Sequence, residues 1–282
     1  MGLTTLIVAG LVVVSRHAPE PVWQRRGHSQ LRVFRVAGDK DMVTDIQFRT
    51  GKLDIESATS NEAVTSQVEL NPRVMTTFEK SFMENGHQVL YLRQKMRSKR
   101  LGSSAFAWKL ALPKTVTQSI KIENRTSTQH LDFTGIPLKS LKLKTVASKM
   151  TVLFLEPNPE RLTVDIDSGA SDCHFYGLSN ANIASLTFTS SAGNYVLDFS
   201  GDKTPSGNVE LKGGVGRAKL VLPASANVRI VFQDTLMIKT TITGFFKTRS
   251  DEYISEHYHP GKPELRIHIN LKSGSLTINT KE

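Results

Sequence analysis

Cysteine is almost absent from this chain of 282 residues. Cys173 stands alone, which excludes an internal disulfide and a thiolate metal site. Aromatic residues supply only 7% of the chain. None interleaves its densest basic run, Arg93 to Arg100, so single-stranded nucleic acid has no stacking platform there. No apolar run reaches the roughly 20 residues that a membrane-spanning helix needs. The longest, Leu3 to Val14, has the length of a signal-peptide core but lacks a basic lead and a small-x-small cleavage site. No Cys follows it, which excludes a lipoprotein anchor. Phosphate-binding glycine loops, dinucleotide fingerprints, G-x-S-x-G elbows and H-E-x-x-H helices are all missing.

What is present is positive charge and a repeat. The formal charge of +10 and a pI near 9.7 favour contact with polyanions. The basic residues are spread along the chain, so no dedicated nucleic-acid stripe emerges and no nucleic acid is expected as a partner. The apolar N-terminal run is read as an export signal or anchor over residues 1–22 with its linker, giving an extracytoplasmic, secreted or membrane-anchored protein; a short membrane-docking tail or an apolar β segment is the alternative.

The repeat has a physical cause. Phe188 and Leu186 precede Gly193 by five and seven residues, and Leu197 and Phe199 follow it by four and six. The same frame fits Ser127 (Ile120, Ile122, Leu131, Phe133), Ser148 (Leu141, Leu143, Val152, Phe154), Gly169 (Leu162, Val164, Cys173, Phe175) and Gly216 (Val209, Leu211, Leu220, Leu222). Gly274 is a further copy and Gly51 a weaker one. The five central anchors, 127, 148, 169, 193 and 216, stand 21, 21, 24 and 23 residues apart. Each unit therefore reads as two short strands of period two, hinged at a small residue. One such unit cannot bury its apolar side alone, whereas stacked coils bury a continuous core. The fold class that follows is all-β: a single-stranded β-solenoid of about 21–24 residues per coil with irregular end caps. A β-sandwich also spaces strands evenly, but it has no reason to hold a hinge in register. Equal interior slots predict one column of Phe133, Phe154, Phe175 and Phe199.

The chain divides into a β-rich part over 23–112, regular coils over 113–245, and an excursion with a capping coil over 246–282. Asn85-Gly86 predicts a tight hairpin turn. Residues 93–104 read as a basic loop.

The segments GLSNANIASLTFTSSAGNYVLDFSG (177–201) and GGVGRAKLVLPASANVRI (213–230), with Trp108, Leu112 and Pro113 opening the coils, resemble the toast-rack β-solenoid domains of bacterial envelope proteins. That group includes LiaF-like stress-response proteins and adhesin-type proteins. Ser127, Ser148 and Ser191 stand where the family pattern favours Gly. The resemblance implies an envelope location and a non-enzymatic role in adhesion, scaffolding or stress signalling, with no cofactor. A self-assembling bactofilin-like scaffold on the membrane and a polysaccharide-acting β-helix enzyme are the alternatives.

Candidate chemistry is sparse. The basic residues Arg93, Lys95, Arg97, Lys99 and Arg100 form the one candidate binding site, for anionic lipid or a wall polymer; an envelope protein is the other partner class. Cys173 falls in an inward slot and reads as a small buried hydrophobe. His257 and His259, near Glu252 and Glu256, share a strand side but lack a fixed third ligand, so no metal site is assigned. Asp132, His174 and Asp198 fall in outward slots of one face, where clustered carboxylates would suit polysaccharide cleavage. Leu153 and Val221 interrupt them. Asn124-Arg125-Thr126 matches a glycosylation acceptor.

Overall fold

A computed structural model describes residues 28–36, 41–97, 106–234 and 237–281, with the backbone of 13–14. Among the described residues all regular structure is strand, in one sheet of 17. The leading strands are β1 (Val13–Val14), β2 (His28–Arg35), β3 (Met42–Ser57), β4 (Ala63–Leu70), β5 (Met75–Glu84), β6 (His87–Met96) and β7 (Ala107–Leu112). Next come β8 (Gln118–Asp132), β9 (Leu138–Leu153), β10 (Leu162–Tyr176), β11 (Ile183–Asp198) and β12 (Gly207–Pro223). The chain ends with β13 (Val228–Phe232), β14 (Met237–Ile242), β15 (Phe245–Arg249), β16 (Glu252–Ser255) and β17 (Leu265–Lys281).

Seven of these strands are 15–17 residues long and bent in the middle. They stack in parallel in the order β3, β8, β9, β10, β11, β12, β17. The β-solenoid read from the repeat is the fold. In β10 the buried side chains are Leu162, Val164, Ile166 and Ser168, then Ser171, Cys173 and Phe175. Alternation changes parity between Ser168 and Ser171. One extra residue enters the corner, and both arms keep their apolar side inward.

The corner demands small residues for two reasons. Where it is glycine, the backbone reaches φ of +138° at Gly193 and +122° at Gly274. A Cβ at Gly193 would lie 1.9 Å from the Ser171 carbonyl oxygen of the coil beneath. Where it is serine, φ is negative and the hydroxyl fills the corner. Ser127 Oγ donates to Asn124 Oδ1 at 2.9 Å, and the Ser148 amide donates to Ser171 Oγ at 3.2 Å. Thr145 Oγ1 also donates to Asn124 Oδ1 at 2.8 Å, so buried polar groups satisfy one another along the stack.

The third anchor differs from the sequence expectation. Ser171, not Gly169, pairs with Ser148 and Gly193. The anchors are 127, 148, 171, 193 and 216, so the frame in β10 moves by two residues. Phe175 then lies beside Val152 and Leu197. The predicted single column does not form: Gly177 falls between Phe154 and Phe199, while Phe133 and Phe154 do stack, with ring centroids 5.6 Å apart. All four phenylalanines are buried. A two-residue slip leaves every side chain on its original face, so the core tolerates it.

The turns that return from one coil to the next are tied by buried amides. Asn158 Nδ2 donates to the Leu138 carbonyl at 2.7 Å and to that of Ala181 at 3.1 Å, bridging the coils on either side. Asn180 Nδ2 donates to the Phe154 carbonyl at 3.2 Å, and its Oδ1 accepts from the Asp202 amide at 2.8 Å. Asn182 takes the left-handed conformation, φ +57°. The L-x-N-A-N segment at 178–182 is thus a coil-linking turn.

The two ends are built alike. At one, β3 lies between β8 and a split layer of β6 and β7. At the other, β17 lies between β12 and a split layer of β13 and β14. The last long coil is therefore inserted between β12 and the two strands that precede it in sequence, β13 and β14. Antiparallel partners cover the split layers: β5 on β6, β4 on β7, β16 on β13. The hairpin predicted at Asn85-Gly86 joins β5 to β6, both turn residues at positive φ. Arg229 holds the 243–262 excursion through Glu252 at 3.4 Å and meets Glu264 at 3.5 Å. Trp108 is buried, and its indole donates to Ser66 Oγ at 2.8 Å. Val13 and Val14 pair with β2; the rest of the 1–22 segment lies outside the described residues. Among the described residues no helix is long and apolar enough to cross a membrane.

Replacing Gly193 by Ala combines a forbidden φ with a backbone clash and costs about 2–4 kcal/mol. Gly261→Ala, also at positive φ but with nothing within 4 Å of the added carbon, costs about 1–2 kcal/mol. Urea unfolding of the two variants measures the difference; equal losses contradict the corner constraint.

Candidate functional site

The outward faces of the stack carry most of its charge, and much of that charge is paired. Arg93 meets Asp45 at 2.8 Å, Lys121 meets Glu123 at 2.8 Å, Lys144 meets Asp167 at 3.3 Å and Lys212 meets Glu210 at 2.8 Å. The exposed ones, such as Lys144 with Asp167 and Lys212 with Glu210, contribute at most about 1 kcal/mol each. Their effect is to make the outward side of the arms that precede the corner a largely neutralised, polar lattice.

The basic cluster expected as a loop is partly strand. Hairpin pairing with β5 carries β6 through to Met96, so Arg93 lies opposite Phe78 and Lys95 opposite Thr76. Arg93 is bound in a fork to Asp45, at 3.2 and 2.8 Å, and its guanidinium carbon stands 4.8 Å from the Tyr91 ring centre. It is committed to the fold. Lys95 Nζ lies 4.8 Å from the Phe78 ring centre, and Arg97 donates to the Pro72 carbonyl at 3.3 Å. Both are exposed. Lys99 and Arg100 lie outside the described residues. The structure therefore separates the set: Arg93 is a structural cation, while Lys95 and Arg97 remain on the surface.

A different cationic feature comes from the corner. A groove of about 550 Å³ runs along the outside of the bend, where β3, β8, β9, β10 and β11 meet. Arg49, Arg93, Arg125, Lys144, Glu123 and Asp167 line it. The flanking pairs Phe48 with Asn124 and Thr50 with Thr126 place Arg49 beside Arg125. Both are exposed, and neither guanidinium has a carboxylate partner among the described residues. Sequence reasoning missed this pair, though the signal existed: each stands two residues before a small anchor, Gly51 or Ser127.

The other sequence candidates come apart. Asp132 and Asp198 share an outward row but are three ladder steps apart, roughly 14 Å, with Leu153 and Tyr176 between them. His174 Nε2 is 3.0 Å from Asp172, and its Nδ1 is 3.1 Å from the Tyr176 hydroxyl. His259 is tied through its backbone to Asn227, and Glu252 pairs with Arg229. No group of three metal-ligating side chains occurs among the described residues. Asn124 of the glycosylation sequon faces the corner interior, accepting from Ser127 and Thr145, so its amide is withheld from the surface.

Cys173 is fully buried, as expected. Burial, together with nearby Asp172, pushes its thiol from 9.0 up to about 12. Because the folded state holds the proton more tightly, the contribution to stability is whole below pH 9 and lost as pH rises through about 12. The native thiol is expected to resist an aromatic disulfide reagent at pH 8 and to react fully in denaturant. Rapid native labelling would contradict the buried assignment.

Residues 24–176 match the family described as the N-terminal domain of toast_rack, DUF2154. No curated protein matches the chain. Among solved structures, a candidate cell adhesion protein from Clostridium sporogenes is similar at 18% identity and a TM-score of 0.48, covering 90% of this chain and 100% of its own. A candidate adhesin from Bacteroides fragilis is similar at 12% identity and a TM-score of 0.34, covering 90% and 97%.

Proposed function

This chain belongs to the toast-rack family, and from that premise we propose that it is a non-enzymatic recognition scaffold of the bacterial cell envelope, holding anionic surface material. One observation carries the reading. The outward side chains form long ladders in which opposite charges neutralise one another, and the residues a hydrolase would bring together are spread over several coils. What the stack offers is an extended, rigid surface rather than a reaction centre.

Charge gives that surface its partner class. The excess of ten positive charges favours phosphate- or carboxylate-bearing polymers, and the exposed Lys95 and Arg97 add to the field. End-to-end polymerisation of the bactofilin kind is less well supported, because antiparallel strands interrupt the parallel ladder at both ends of the stack.

The purified chain is expected to co-sediment with isolated bacterial envelopes at low salt and to be released as salt rises. Incubation with alginate, pectin and peptidoglycan is expected to release no product. Failure to bind envelopes at any ionic strength contradicts the recognition role, and product release contradicts the non-enzymatic one.

A further inference from the structure

Like charges side by side on adjacent strands repel, and ordinary surfaces separate them or place a carboxylate between. Here the opposite is built. Arg49 and Arg125 are 76 positions apart in sequence yet stand on neighbouring strands at the same level of the corner. The other charged lining groups are engaged: Arg93 with Asp45, Lys144 with Asp167, Glu123 with Lys121. Two guanidiniums thus carry the uncompensated charge of the groove.

The register extends that row. Thr145 and Ala147 of β9 pair with Asn124 and Thr126 of β8, which puts Val146 beside Arg125. By the same step Gly169 stands beside Val146, and Ser191 beside Gly169. From the arginines onward the outward side chains shrink to Val, Gly and Ser, and this is where the groove lies. Four ladder steps make the row about 19 Å long. Paired guanidiniums fork phosphate oxygens well. An uncharged, narrow body suits the rest.

Building on the envelope reading, we propose that this groove binds a soluble sugar- or polyol-phosphate chain, with Arg49 and Arg125 clamping one phosphate and the uncharged part lying along Val146, Gly169 and Ser191. A lipid headgroup in a bilayer fits less well. Val146 is the one large apolar side chain exposed along this row, and membrane docking needs several apolar or aromatic anchors beside the charge.

The test is calorimetric titration of the full chain with soluble poly(glycerol phosphate). The intact chain binds, and Arg49→Gln with Arg125→Gln weakens binding roughly tenfold or more. Val146→Glu, which sets a carboxylate beside Arg125, weakens it similarly. Lys239→Gln with Arg249→Gln removes equal charge from exposed positions on β14 and β15, at the far end of the stack, and leaves binding within roughly twofold. Unchanged thermal melting shows that the variants are folded. The site is overturned if the intact chain does not bind the polymer, if the arginine variant binds as well as the intact chain, or if the Lys239/Arg249 variant loses as much. It is also overturned if only vesicles of phosphatidylglycerol in phosphatidylcholine respond to the arginine substitutions. Envelope co-sedimentation by the intact chain separates the two ideas: a chain that sediments with envelopes but does not bind the polymer loses the groove while the envelope reading stays in place.

Discussion

The close approach of backbone to backbone at the bend is the constraint on which the rest of the molecule depends. Each long strand must turn a corner without losing its inward side, and it does so by inserting one residue and switching parity. The stacking distance between coils then leaves no room for a side chain at Gly193 or Gly274, where an added carbon meets a carbonyl of the coil beneath at 1.9 Å. Serine is the other solution, because its hydroxyl replaces the missing volume with a hydrogen bond. Both solutions hold the coils at one level, and that level sets which residues become neighbours across the stack.

From this common level follow the core and the surface. Inside, Leu, Ile, Val and Phe of successive coils fill one continuous apolar volume, and the polar corner groups satisfy one another. Outside, residues distant in sequence stand in rows. Some rows neutralise themselves, as Lys144 and Asp167 do. One row does not, and it carries Arg49 and Arg125. The ends follow a second constraint, since an open parallel edge invites further pairing. Inserting β3 and β17 one layer inward leaves split layers outside them, and antiparallel strands cover β6, β7 and β13.

Much of the fold was legible because period-two alternation and a parity switch are written directly in residues such as Leu186, Phe188, Leu197 and Phe199. The position of the third hinge was not. Gly169 is the more inviting small residue, and sliding the frame by two keeps Val164, Ile166, Cys173 and Phe175 inside in either case. What decides is contact between coils: Ser171 Oγ reaches Ser148, and Gly169 lies over the Val146 carbonyl. The order of layers was hidden for a similar reason, because alternation says which side faces in but not which parallel strand lies next. At the basic cluster, composition suggested a loop, whereas hairpin pairing extended a strand through Arg93 and Lys95. The groove depends on β3 lying against β8, a non-local contact. Its only trace in sequence is an arginine two places before each of two anchors.

Register at the third coil is the most direct test of this account. In a Cys173→Ala background, Lys149→Cys with Asp172→Cys joins residues that pair directly and is expected to form a disulfide on mild oxidation. Lys149→Cys with Ala170→Cys is the pair that a hinge at Gly169 would align, and it is expected to stay reduced, since diagonal neighbours lie beyond bridging distance. Efficient closure of the second pair and not the first would contradict the anchor at Ser171 and, with it, the rows from which the surface has been read.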